Sequence, residues 1–133
     1  MGPEAVQHRS LLVPGLLLFA FALATLGVSL GAYLFGRVEY RRVTSPDGDF
    51  VAVTSSRRYQ GYLPRGPGAG SDKPGFLEVR RVSDGRSCGE VELPLLWLGS
   101  DLRWELESRP RSAVLVGAAT WYLEACTVDT SGW

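Results

Sequence analysis

The sequence predicts one N-terminal transmembrane α-helix followed by a small all-β domain, an antiparallel meander of about seven strands folded into a sandwich or an open barrel. Three observations predict it. Residues 11–35 form a run of 25 without a charged side chain. Beyond that run, β-branched and alternating apolar stretches recur between turn signals such as Ser45-Pro46-Asp47-Gly48 and Asp84-Gly85. Nothing after residue 36 carries the 3.6-residue apolar period of a soluble helix. The 133 residues therefore divide into a tail (1–10), a span (11–35) and a β domain (36–133) that includes a Gly/Pro-rich loop at 60–75.

The span comes first. At about 1.5 Å rise per residue it reaches roughly 37 Å, against a hydrocarbon core of about 30 Å. A cleaved signal peptide is the competing reading, but signal cores usually run about 7–15 residues, and Ala22-Leu23-Ala24 is a poor cleavage site buried inside the run. Pro14 is expected in the first helical turn, where its missing N–H is tolerated. Tyr33, Phe35 and Tyr40 stand where an aromatic belt meets headgroups. Ala20, Ala24, Gly27 and Gly31 fall on one stripe, and small residues let membrane helices approach closely. Leu16, Leu23, Leu26 and Leu30 then face lipid.

Orientation signals oppose one another. Arg9 precedes the span and Arg37, Arg41 and Arg42 follow it, which by the positive-inside rule puts the domain in the cytoplasm. Cys88 and Cys126 are an even pair, open to bonding outside the cytoplasm. The expectation is an extracytoplasmic, periplasmic domain, with the cytoplasmic orientation as the alternative. A disulfide between the two would stabilise by roughly 3–4 kcal/mol through loop closure; two buried thiols are the other reading.

The domain follows in order. Residues 38–43 read as a strand, Ser45-Pro46-Asp47-Gly48 as a turn in which Pro presets φ and Gly takes positive φ, and residues 50–54 as the returning strand of a hairpin. Residues 60–75 are a long break, read first as a tolerated, mobile insertion and otherwise as a contact loop that uses Tyr62 and Arg65 with the adjoining Tyr59. Residues 76–82 and 89–93 form the next hairpin around Asp84-Gly85. Leu95-Leu96-Trp97-Leu98 is a short apolar run that belongs to the core or dips to the membrane interface. Residues 102–107 alternate without fault, turning Leu102, Trp104 and Leu106 inward. Residues 113–116 and 120–128 complete the count, with Trp121, Leu123 and Ala125 sharing one face of the last strand.

Ser45-Pro46-Asp47-Gly48-Asp49-Phe50-Val51-Ala52-Val53 resembles the opening of a WD-type β-propeller repeat, and Leu102-Arg103-Trp104 with residues 112–116 resembles the start of a next blade. The second S-P-D-G is replaced by Glu107-Ser108-Arg109-Pro110, and the chain has room for two blades where a ring needs at least about four. The chain more closely resembles small bacterial membrane-anchored proteins of unknown function in which one S-P-D-G-led β domain lies outside the cytoplasm. That resemblance implies an extracytoplasmic β domain and carries no activity or site residues with it.

Composition narrows the chemistry. Fourteen basic residues balance fourteen acidic ones, so there is no basic surface excess of the kind nucleic acid requires. The one histidine, His8, precedes the span, which leaves the domain without a Ser–His–Asp or Cys–His set and without a zinc site. Gly66-Pro67-Gly68-Ala69-Gly70 lacks the strand–loop–helix setting of a phosphate loop. Glu90/Glu92 and Glu105/Glu107 have the spacing of solvated strand faces rather than of an acid pair in a cleft. Arg41-Arg42, Arg57-Arg58 and Arg80-Arg81 are neighbours that point to opposite strand faces, although Arg37, Arg41 and Arg42 are placed to touch anionic headgroups. No catalytic, cofactor or metal residue is expected. The expected function is that of a non-enzymatic accessory or docking subunit of a larger membrane complex in the bacterial envelope, with the bilayer and other transmembrane helices as partners. The alternative is a membrane-tethered binding module for a small ligand or envelope polymer. A hydrolase using Asp47, Glu105 and Glu107 ranks third.

Overall fold

The computed structural model describes residues 7–64, 66–67 and 73–131. They form two compact units, residues 1–36 and 37–133. The first is the helix α1 (Gln7–Phe35). It begins earlier than the uncharged run, so Pro14 lies about two turns inside the helix rather than in its first turn. There it removes one i→i−4 hydrogen bond. Residues 14–35 have a mean hydropathy of 2.1 and none of that window is buried. Leu16, Phe19, Phe21, Leu26 and Val28 are exposed on all sides. This is one helix, near the N-terminus, long and apolar enough to cross a membrane.

The second unit is all-β. Eight strands make two four-stranded antiparallel meanders, β1-β2-β3-β4 and β5-β6-β7-β8. The strands are β1 (Arg37–Thr44), β2 (Phe50–Arg57), β3 (Gly75–Arg81), β4 (Ser87–Leu93), β5 (Leu102–Glu105), β6 (Ser112–Leu115), β7 (Ala119–Tyr122) and β8 (Thr127–Asp129). Neither sheet closes on itself, so the domain is no closed barrel. Both turn motifs act as their residues require. Gly48 (φ 79°) closes the β1–β2 turn with its N–H on the Ser45 carbonyl at 2.9 Å, and Gly85 (φ 68°) closes the β3–β4 turn on the Arg81 carbonyl at 3.0 Å.

One core joins the sheets. Alternation turns Phe50, Ala52, Leu77, Val79, Val91 and Leu93 of the first sheet against Ala113, Leu115, Ala119, Trp121 and Leu123 of the second. Leu102, Trp104 and Leu106 pack against this cluster half-buried, as their alternation predicts. The outward faces are polar. On the first sheet Arg37 donates to the Glu90 carboxylate while its guanidinium lies 4.2 Å above the Phe76 ring. Beside it run Glu39–Arg42 and Glu78–Arg80.

The apolar run around Leu95 enters a 3₁₀ helix, Leu96–Asp101, that buries Leu96 and leaves Trp97 44% exposed. One strand expectation is corrected. Residues 120–128 are not one strand. The chain turns at residues 123–126 between β7 and β8, with Cys126 at φ 52°, so Leu123 and Cys126 are buried while Ala125 is exposed. This split supplies the eighth strand.

Candidate functional site

The helix seam is open. Of the stripe Ala20, Ala24, Gly27 and Gly31, none is buried in this chain, and a Cβ added at Gly27 or Gly31 would meet nothing within 4 Å. Backbone this bare is what another helix packs against in lipid.

Cys88 and Cys126 are joined as a disulfide, Cα atoms 4.2 Å apart and 38 positions apart in sequence. The bond ties β4 to the β7–β8 turn, one strand from each sheet. The same corner holds two further contacts that the sequence did not announce. The Trp121 indole Nε1–H donates to the Gly89 carbonyl at 3.0 Å. Gly89 itself sits at φ 117°, and a Cβ there would lie 2.8 Å from Val128 Cβ. Glycine is required at this point both for the backbone and for the space.

At the far end from residue 37, the Ser45–Gly48 turn is fastened to the second sheet. The Ser45 hydroxyl accepts from Phe50 N–H at 3.0 Å and donates to Asp47 Oδ1 at 2.5 Å. Arg111 Nη1 lies 3.2 Å from Asp47 Oδ2 and 3.6 Å from Asp49, and its Nε lies 3.4 Å from Glu124. The Ser45 hydroxyl above all, with the Asp49 N–H and Arg111 adding to it, holds the Asp47 carboxyl below the ordinary aspartate range. A general acid needs the opposite shift. Of the other two carboxylates weighed for hydrolysis, Glu105 accepts from the Ser112 hydroxyl at 3.3 Å and Glu107 lies exposed beyond β5. Glu90 is committed to Arg37. Among the described residues, no three of His, Cys, Asp or Glu gather as metal ligands.

The loop at 60–75 is anchored where it begins. Gln60 is buried and its Oε1 accepts from Arg57 N–H at 3.2 Å. Tyr59 is half-buried in the 3₁₀ turn Arg58–Gly61, Tyr62 is 66% exposed, and Arg65 lies outside the described residues. Of the three arginines set beside the membrane by sequence, Arg37 and Arg42 are engaged with Glu90 and Glu39. The Arg111 junction joins residues 64 positions apart and has no local sequence signal. The described residues offer two surfaces, the exposed small-residue stripe of α1 and the cross-linked corner of the β domain. Compared with family models, curated proteins and solved structures, the chain matches none.

Proposed function

We propose that this chain is a non-enzymatic, single-pass membrane protein whose β domain serves as an accessory or docking module of a larger membrane assembly. The observation that carries the reading is α1, apolar on every side and bearing a stripe of small residues with open space above Gly27 and Gly31. A helix apolar all round has no aqueous face to present, and a bare glycine seam offers van der Waals contact to a neighbouring helix. The polar outer faces of both sheets are consistent with a module that stays soluble while it docks. The Cys88–Cys126 bond supports an extracytoplasmic, envelope-side domain, because disulfides persist in oxidising compartments.

The test is mild-detergent purification of the full chain with mass spectrometry of what accompanies it, repeated with Gly27→Ile and Gly31→Ile together. The expected result is loss of the companion proteins with the β domain still folded. Unchanged companions would refute the seam.

A tethered binding module is the second reading. It draws on a recess of about 570 Å³ beside the Gly/Pro loop, walled by Pro74, Val91, Leu93, Pro94 and Thr130 together with the acidic Glu90 and Glu92. Trp97 is not among its walls. A ligand-dependent rise in melting temperature is the observation that would favour this reading.

A further inference from the structure

Each sheet has two outer strands, whose backbones are laddered on one side only. Three of these four edges are blunted. β1 is broken by a register shift between Glu39 and Arg41, and β5 and β8 have only four and three residues. β4 differs. Its first half is covered from the second sheet: Cys88 is bonded to Cys126, the Gly89 carbonyl accepts from Trp121, and Gly89 lies against Val128. Its second half is open. Glu90, Val91, Glu92 and Leu93 pair with Glu78, Leu77, Phe76 and Gly75 without a shift. Among the described residues, no backbone hydrogen bond outside that ladder reaches them.

The recess of about 570 Å³ follows this stretch, and all four residues are among its walls. Successive side chains of a strand point to opposite faces. Here Val91 and Leu93 are buried and Glu90 and Glu92 are exposed. A recess over one face would meet every second residue. One that meets both sets lies off the open side of the strand, where the next strand of a sheet belongs. Its walls carry two carboxylates and, among the described residues, no cation. Glu90 is engaged by Arg37, whereas Glu92 has no ion pair among the described residues. A second copy fits this edge poorly. Its β4, laid antiparallel with the glutamates on one face, would oppose carboxylate to carboxylate, and like charges directly opposite destabilise a sheet. Its β1 is interrupted by the shift at Glu39.

We infer that residues 90–93 of β4 take up one extended segment of a partner protein, added to the first sheet as a further strand, with an arginine or lysine of that segment beside Glu92. The inference rests on the β domain being a docking module. In strand addition the main-chain hydrogen bonds give affinity and the side chains at alternate positions give selectivity.

The test titrates the isotope-labelled full chain, in mild detergent, with a capped hexapeptide of alternating valine and arginine. The expected result is saturable binding that slows hydrogen exchange at the amides of residues 90–93. Glu92→Lys should weaken this binding by about threefold or more and favour a peptide of alternating valine and glutamate. The valine–arginine peptide N-methylated at two adjacent central residues keeps its charge but has both edges blocked, and it should not bind. No response at residues 90–93, or equal binding of the N-methylated peptide, overturns the strand addition. Affinity indifferent to Glu92→Lys overturns the basic partner residue. Slow exchange at these amides in the free chain that speeds up on dilution would place a second copy there and overturn the inference. Mass spectrometry of what accompanies the purified chain keeps the two readings apart. A chain that purifies alone refutes the docking module, whereas a chain with companions whose β4 ignores the peptide refutes the edge alone.

Discussion

Replacing Cys88 and Cys126 together by alanine should destabilise the β domain strongly and leave its architecture in place. The bond closes 38 positions of chain, and loop-closure entropy for that length gives about 3.9 kcal/mol at room temperature. The unit it stabilises runs from residue 37 to 133. For a domain of that size each kcal/mol moves the melting temperature by about 4–8 °C, so a fall of about 20 °C is expected. Alanine is the right replacement because both cysteines are buried, at 1% and 7% exposure, and serine would bury hydroxyls without partners. Circular dichroism melts of the full chain in detergent, with and without reductant, provide the assay. Reductant should bring the wild type down to the variant and leave the variant unmoved. A fall under about 4 °C would show that cross-linking removes little entropy from the unfolded chain, and the reasoning about this corner would be refuted.

Two further predictions concern the domain, beside those stated for the helix seam and for β4. Gly89→Ala should cost about 2–4 kcal/mol through backbone strain and overlap with Val128; adding Val128→Ala should relieve the overlap and leave the strain, and full recovery in the double variant would mean that φ is not at issue. Asp47 has a folded pKa below its unfolded one, so its stabilisation is complete above the unfolded value and is lost as pH falls through the folded value. Melting temperature should therefore drop below about pH 4, and Ser45→Ala should flatten that drop while lowering stability at every pH through the lost Phe50 hydrogen bond. Parallel acid limbs in the two proteins would assign the drop to other carboxylates, Glu78 beside Arg80 first among them.

What could be read from the sequence was local. An uncharged run long enough to span a bilayer needs no tertiary information, and the two glycine turns were legible because positive φ selects glycine. The Leu102–Trp104–Leu106 alternation survived into the structure because period two already encodes which side faces the core. The errors fell where apolar continuity outran geometry. Residues 120–128 read as one strand because no glycine or proline marks the turn at 123–126, where Cys126 takes positive φ and Leu123 N–H is held instead by the Arg111 carbonyl at 3.0 Å. Leu95–Leu98 read as one apolar run for the core or the membrane interface, yet only Leu96 is buried, since a 3₁₀ turn sends successive side chains in different directions. The candidate surfaces were half legible. Stripe spacing and cysteine parity are sequence properties. The Arg111 junction depends on which loops the strand pairing brings together, and that is set by register.

The single-residue joint at Gly36 also fixes how contacts with this domain should be sought. If α1 spans a bilayer as proposed, the domain has almost no leash, and anything else held in the same patch of membrane meets it at an effective concentration in the millimolar range. Feeble individual contacts then suffice for stable association. A partner that binds avidly in the membrane would therefore be missed in any assay that offers it the domain free in solution.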